Sequence, residues 1–171
     1  LNTLVLEIIK ISKGLSSINE EYVEYNIKEL LQQVIADMSI KADKYNLNII
    51  YNLEDSFLKI KANKIKEVFI NLIDNAIKYS VNSNNIEVHG FIEDNFYRVS
   101  IINEANLIPD EIYSHVFEPF IKINSHDDNY SSGLGLYLCS EIIKDHNGSI
   151  TLSNGTKVEA LDSLPLPHNS L

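Results

Sequence analysis

Residues 63–80, NKIKEVFINLIDNAIKYS, predict one long amphipathic helix. Its apolar residues are spaced three and four positions apart, which places them on a single stripe of an α-helix. A stripe of this width requires a hydrophobic layer to cover it, so we expect this helix to form one side of a packed core. The residues of the stripe are Ile65, Val68, Phe69, Leu72, Ile73, Ala76 and Ile77.

Three polar side chains share one edge of the same predicted helix. Asn71, Asn75 and Lys78 are spaced by four and three residues, so they project from one narrow arc beside the apolar stripe. Asparagine is unfavourable inside a helix, because its side chain competes for backbone hydrogen bonds. From this helix alone, a solvated polar edge and a binding site are equally good interpretations.

The composition limits the kinds of partner and site that the chain can have. Its 171 residues suffice for one well-buried domain with a modest appendage. The net charge of −10 repels a phosphate backbone and no basic segment offsets it, so nucleic acid and anionic membranes are disfavoured. The single cysteine, Cys139, permits neither an internal disulfide nor a cysteine-based metal site. The chain starts with Leu1 instead of Met, so we expect a piece of a longer protein.

Two further segments follow helical periodicity before the stretch at 63–80. Residues 1–18 carry apolar residues at alternating spacings of three and four, typical either of a helix that pairs with another helix or of one packed on its own domain. Residues 16–26 are polar and are interpreted as a junction. Residues 27–45 predict a second amphipathic helix.

Alternating apolar residues predict the strands. Helices and a mixed, mostly antiparallel sheet on one core imply an α+β fold, a two-layer α/β sandwich. The predicted strands are a short pair at 47–53 and 57–60, a hairpin of 86–92 with 96–102, and a weaker hairpin of 149–152 with 157–161.

Residues 131–143, SSGLGLYLCSEII, place Gly133 and Gly135 just before a helical pattern. Such a pair lets backbone N–H groups approach an anion, and the helix dipole favours negative charge there. On its own this signal is weak, because glycines at a helix entry are most often just a flexible loop. The polar residues 121–129 are interpreted as a lid, and residues 117–120, FEPF, as its fixed base.

The order of four segments is more informative than any one of them. NLIDNAIKYS is followed by a hairpin ending in IINEANLIPDEI, then by VFEPFIKI, and then by SSGLGLYLCSEIIKDHNGSI. In this order they closely resemble the catalytic and ATP-binding domain of bacterial sensor histidine kinases, in the GHKL superfamily, over about residues 24–165. The resemblance implies the GHKL fold, ATP and Mg²⁺ as ligands, and transfer of the γ-phosphoryl group to a histidine.

The resemblance also implies roles for individual residues. Asn75 would be the Mg²⁺ ligand and Lys78 would face the phosphates; Mg²⁺ keeps waters and phosphates around one or two protein oxygens, so one carboxamide is enough. Asn71 takes the position of a water-activating Glu in hydrolytic relatives, and because Asn cannot act as a base, ATP would be held for transfer. The other implied nucleotide contacts are Tyr79, Asn103, Ala105, Ile108, Phe117, Phe120, Lys122, Gly133, Leu134, Gly135 and Leu136.

One segment departs from the family pattern. The first glycine box, typically Asp-x-Gly-x-Gly, falls on residues 103–107, NEANL, so Asn103 replaces the Asp that accepts from the adenine amino group. The carboxamide still offers a carbonyl acceptor, without the strength of a charge-assisted bond. Ala105 and Leu107 replace both glycines and restrict any backbone geometry with positive φ. We expect ATP binding to persist.

The resemblance divides the chain into residues 1–20, the end of the second helix of a dimerisation and phosphoacceptor domain, residues 21–165, the catalytic domain, and residues 166–171, a tail. None of the five histidines lies in the His-Glu/Asp-x-x-x-Pro-Leu motif that the family phosphorylates, so this chain should bind ATP without phosphorylating itself. The implied partners are that dimerisation domain and, indirectly, the receiver domain of a response regulator. The full protein would be a homodimer with this domain in the cytoplasm, and its anchoring in the membrane is left open.

Two other functions stay open. A degenerate kinase domain retained as a regulatory scaffold is motivated by Asn103, Ala105 and Leu107. An ATPase of the gyrase, mismatch-repair or heat-shock chaperone type is disfavoured by Asn71.

Overall fold

A computed structural model describes residues 20–81, 84–122, 132–154 and 158–167, with the side chains of 158–162 left out. Before residue 20 it describes Val5, Ile8, Ile9 and Ser12, which are helical and exposed. The rest of the helix predicted over residues 1–18, the predicted lid beyond Lys122, and the tail from residue 168 lie outside the described residues. Across these ranges, no helix has the length and apolar character needed to span a membrane.

The described elements alternate along the chain and form two sheets. A five-stranded sheet has the strand order β2-β4-β5-β7-β6, in which only β2 and β4 run parallel, and β1 with β3 forms a separate antiparallel pair. The elements are β1 (Val23–Asn26), α1 (Ile27–Asp43), β2 (Asn48–Leu53), β3 (Phe57–Ile60), α2 (Ala62–Tyr79), β4 (Asn85–Glu93), β5 (Phe96–Asn103), α3 (Asp110–Tyr113), α4 (Gly135–Asp145), β6 (Ser149–Ser153) and β7 (Val158–Pro165).

The predicted α+β sandwich is confirmed. Helix α2 packs against both α1 and α4, and all three helices contact the five-stranded sheet. All seven apolar residues of the predicted stripe on α2 are buried. Strand β5 contributes Tyr97, Val99 and Ile101 to the same core. The core therefore lies between a helical layer centred on α2 and a mixed sheet.

Two sequence interpretations are wrong. The last four residues of the supposed polar junction form β1, which pairs with β3. The strands β2 and β3 do not pair with each other as predicted, because β2 pairs with β4. Alternation shows which residues need cover, here Leu53 on β2 and Leu58 and Ile60 on β3, but it does not specify the partner that provides it.

The residues just before β1 are bound to the start of α2 and the end of α4. Glu20 accepts a hydrogen bond from the Asn63 N–H in the first turn of α2, at 2.9 Å. The Tyr22 hydroxyl donates to the carbonyl of Asp145 at 2.7 Å, and Lys61 Nζ lies 2.7 Å from Asp145 Oδ2. This ion pair lowers the pKa of the Asp145 carboxyl. We call Glu20, Tyr22, Lys61, Asp145 and His146 the N-terminal clasp.

His146 is the buried centre of the clasp. Its Nε2 accepts from the Lys61 N–H at 3.0 Å and its Nδ1 lies 2.7 Å from the Ile142 carbonyl, so the ring is neutral with its proton on Nδ1. The side chain is 4% exposed, and burial lowers the pKa of its imidazole. Protonation at Nε2 would remove the acceptor that holds the Lys61 N–H.

We predict that the clasp makes folding pH-dependent. Because the folded pKa of His146 is lowered, the unfolded state takes up a proton first as the pH falls below about 6.5, and the free energy of unfolding falls with it. His146→Gln should flatten the drop in melting temperature between pH 7.5 and pH 5.5. Equal pH dependence in the natural chain and His146→Gln would contradict this prediction.

Candidate active site

A cavity of about 210 Å³ opens between the polar edge of α2 and the glycine loop that leads into α4. The predicted residues on its wall come from three separate parts of the sequence, which the fold brings together. They are Asn71, Asn75, Lys78, Tyr79, Lys122, Gly133, Gly135 and Leu136. Asp74, Val116, Ile121 and Ser132 also line it and were not predicted.

The wall on α2 is the polar edge identified in the sequence. Asn71, Asn75 and Tyr79 are half-buried, whereas Lys78 is exposed, with its ammonium 5.2 Å from the centre of the Tyr79 ring. Burial of the apolar stripe fixes the rotation of α2, so the carboxamides face the cavity. The edge also includes Asp74, whose carboxylate pairs with Lys41 on α1. A carboxylate beside Asn75 is typical of a solvated helix position, so the sequence gives no sign that Asp74 lines a cavity.

The two ends of the segment 121–132 meet at the base of the cavity. The Phe120 N–H donates to the Gly133 carbonyl at 2.9 Å. Gly133 has φ of +71°, and a Cβ there would lie 2.6 Å from both the Ile121 oxygen and the Phe120 carbonyl carbon. Phe120 itself has φ of +67°. Only glycine fits at position 133, because both the backbone conformation and the space exclude a side chain.

The first turn of α4 adds backbone donors to the cavity. Helix geometry leaves the first N–H groups of this 11-residue helix without intrahelical partners, and the dipole makes this end electropositive. Gly135 opens the helix, and a Cβ built on it would lie no closer than 3.9 Å to Asn71 Oδ1. Leu134 is 2% exposed and lines a neighbouring groove, not the 210 Å³ cavity.

The two phenylalanines of the predicted set do not line the cavity. Phe117 is half-buried and Phe120 is 55% exposed, and neither is on the cavity wall. Val116 beside them is 5% exposed and does line it. The FEPF segment therefore lies beside the cavity wall and is tied to the glycine loop by the Phe120 N–H, and its role as the base of a lid stays a prediction.

The altered glycine box lies beyond the Tyr79 end of the cavity. Ala105 forms a β-bridge with Ser80, and the Val81 N–H donates to the Glu104 carbonyl at 2.8 Å, so this loop is tied to the end of α2. None of residues 103–109 has positive φ. The loop therefore does not need the two glycines whose loss would otherwise restrict its backbone.

Asn154 fixes the same loop from the opposite side. Its Oδ1 accepts from the Ile108 N–H at 2.9 Å and its Nδ2 donates to the Ile108 carbonyl at 2.7 Å. Ile108 is thereby buried and held, but it is not on the cavity wall. Asn154 precedes a glycine in the sequence, which is a turn signal, and nothing in that signal points to a contact 46 residues away.

Asn103 is the one predicted site residue with an unused buried donor. It is 5% exposed, and its Nδ2 has no hydrogen-bond partner among the described residues. It is not on the wall of the 210 Å³ cavity. A nucleotide fits this donor set: carboxamide oxygens suit Mg²⁺, lysines and helix amides suit phosphates, and an unpaired amide suits a polar base.

The two-layer sandwich, with paired asparagines facing a glycine loop, defines the class as a GHKL ATP-binding domain. The family model for histidine kinase-, DNA gyrase B- and HSP90-like ATPases matches residues 60–168. The chain belongs to this family, and within it to the catalytic domains of histidine kinases.

Individual relatives agree with this assignment. The catalytic domain of the histidine kinase ThkA is 30% identical, with a TM-score of 0.75 over 85% of this chain and 95% of that one. The heme sensor protein HssS of Staphylococcus haemolyticus is 27% identical over 147 residues, 86% of this chain and 32% of HssS. The histidine kinase AdeS of Acinetobacter baumannii, at 21% identity, shares the fold with a TM-score of 0.77 over 96% of this chain and 80% of AdeS.

The chain spans about a third of the length of the curated relatives it matches. The predicted function as the ATP-binding catalytic domain of a sensor histidine kinase is confirmed at the level of this domain. The alternative of a degenerate scaffold domain gains no support from the relatives.

The conformation of Gly133 leads to a prediction on the stability of the fold. Gly133→Ala places a side chain at φ of +71° against backbone atoms, which should cost at least about 1–2 kcal/mol and lower the melting temperature by about 2–4 °C per kcal/mol. Gly135→Ala, at an open helical position two residues away, should leave the melting temperature unchanged or raise it. Calorimetric melting of both variants checks this, and equal effects would show that position 133 is not strained.

Proposed function

We propose that this chain binds ATP with Mg²⁺ and presents the γ-phosphoryl group to a histidine on a dimerisation domain, as the catalytic part of a sensor histidine kinase. The observation that carries the proposal is the cavity that joins Asn71, Asn75, Lys78 and the Gly133 loop. These are the groups that a magnesium nucleotide needs, and they come from two distant parts of the chain, the helix α2 and the Gly133 loop.

Each group has a distinct task in this proposal. The Asn75 carboxamide oxygen would hold Mg²⁺, which supplies charge neutralisation and orients the phosphates when bound. Among the described residues of the cavity wall, Lys78 and Lys122 supply two positive charges and Asp74 supplies one carboxylate. Backbone N–H groups around Gly133 and Gly135 complete the cradle for phosphate oxygens.

An asparagine at position 71 favours transfer of the γ-phosphoryl group over hydrolysis of ATP. Its carboxamide has no basic atom that could take a proton from water, so the cavity contains no general base at this position. The γ-phosphoryl group would instead pass to an imidazole nitrogen of the partner histidine, with ADP as the leaving group. That new P–N bond forms as the bond from the γ-phosphorus to the bridging oxygen of ADP breaks.

The proposal extends to the acceptor and its partners, by analogy with sensor histidine kinases. A dimerisation domain carrying the phosphoacceptor histidine would precede residue 21, and residues 1–20 would be the end of its second helix. A response regulator would then take the phosphoryl group from that histidine onto an aspartate. We also propose, by the same analogy, that this domain lies in the cytoplasm and that the full protein is a homodimer.

The Mg²⁺ role of Asn75 can be tested by calorimetry with a non-hydrolysable ATP analogue. Asn75→Ala should weaken binding in the presence of Mg²⁺ by about tenfold or more, because it removes the metal ligand, and should change binding in EDTA little. Asn63→Ala is the matched control, since Asn63 is exposed on the same helix about 18 Å away. Absence of any binding by the natural chain at millimolar nucleotide would disprove the proposed function.

The chain should not phosphorylate itself. None of its five histidines lies in the phosphoacceptor motif, so incubation with γ-labelled ATP and Mg²⁺ should leave no acid-labile label on it. Acid-labile label that persists after denaturation would show that one of these histidines is an acceptor. Mutation of each histidine in turn would then identify it.

A further inference from the structure

The side chain of Asn103 ends β5 on the face that packs against the helices. Along this strand Tyr97, Val99, Ile101 and Asn103 are buried at every second position, so Asn103 is a polar residue in an apolar row. Its Nδ2 is buried and has no partner among the described residues. A buried amide without a partner is costly, so a group that uses it is expected.

Among the described residues, one other buried side-chain nitrogen, Arg98 Nε, has no hydrogen-bond partner. The Arg98 guanidinium, however, forms an ion pair with the Glu93 carboxylate. Asn103 has no such charge beside it. The unused donor is therefore specific to the end of β5.

The position of Asn103 relates it to the nucleotide cavity. Ala105, two residues later, bridges Ser80, and Ser80 follows Tyr79 on the cavity wall. The loop after Asn103 is held on its other side by the paired hydrogen bonds of Asn154 with Ile108. A base extending from phosphates in the cavity past Tyr79 would therefore meet a carboxamide on a fixed backbone.

The carboxamide can match two kinds of purine edge. When its Oδ1 faces the 6-position of adenine, this oxygen accepts from the 6-amino group and Nδ2 donates to the neighbouring ring nitrogen. Turned by 180° about χ2, it donates from Nδ2 to a 6-oxo group and accepts from the neighbouring N1–H of the ring. A carboxylate offers acceptors only and cannot donate to a 6-oxo group.

We propose that Asn103 makes the base site tolerant of 6-oxopurines, so that this chain binds inosine triphosphate with an affinity close to that for ATP. This inference rests on the proposed function, because it assumes that the triphosphate occupies the cavity. It concerns one further property of that site, the choice between a 6-amino and a 6-oxo group. Asn103 is then the residue that sets this choice.

The test compares dissociation constants for ATP and inosine triphosphate with Mg²⁺, measured by calorimetry on the natural chain and on Asn103→Asp. The two nucleotides differ only at the 6-position and the N1 proton of the base. We expect the natural chain to bind them within about tenfold of each other. Asn103→Asp should raise the ratio of the two constants by about tenfold or more, since it replaces the donor with a second acceptor.

Two further variants separate recognition from folding and charge. Asn106→Asp adds the same charge to an exposed position of the same loop and should leave the ratio unchanged. Asn103→Ala removes both groups, so it should weaken the two nucleotides about equally. Thermal unfolding of each variant checks its fold, and if Asn103→Asp does not fold, the Asn103→Ala comparison decides.

The failures of the two proposals differ. If ATP binds but inosine triphosphate binds more than about tenfold more weakly to the natural chain, or if Asn103→Asp leaves the ratio unchanged, the inference is overturned while the proposed function stands. If Asn103→Ala weakens ATP alone, the inference is overturned in the same way. If neither nucleotide binds, the proposed function fails and the inference fails with it.

Discussion

The rotation of α2 about its own axis is the constraint on which the site depends. Seven buried apolar residues fix this rotation, because each must face the core shared with α1, α4 and the sheet. A change of one residue in register would turn Asn71 and Asn75 by 100°, out of the cavity. The chemistry of the site is therefore specified by hydrophobic packing on the neighbouring face of the same helix.

Both ends of α2 are held by residues far away in the sequence. No side chain caps its first residue locally; instead Glu20 accepts from Asn63, and His146 accepts from Lys61. At the other end Ser80 bridges Ala105. The clasp joins the segment that precedes the domain to the helix that carries the asparagines, so a displacement of that segment would act on α2 directly.

The sequence predicts the individual helices and strands better than it predicts which of them pair. The spacing of apolar residues predicts α1, α2 and most strands, because burial of one face imposes a period on each element. The pairing of β1 with β3 and the bonds of Asn154 to Ile108 depend on contacts that no local period encodes. Of the site, the polar edge and Gly133 were predictable from spacing and residue type, whereas Asp74 and Ser132 were not.

The glycine loop at the cavity and the loop from Asn103 to Ile108 are held in shape by different interactions, which explains why only the first requires glycine. At Gly133 a positive φ and contacts of 2.6 Å leave no alternative to glycine. The loop from Asn103 to Ile108 has negative φ throughout and is positioned by backbone pairing and by Asn154, so its shape does not depend on glycine. Ala105 can take part in the bridge to Ser80, and Leu107 extends to solvent with 67% of its surface exposed. The departure from the family pattern therefore leaves the backbone intact and concentrates its effect on one side chain, the carboxamide of Asn103.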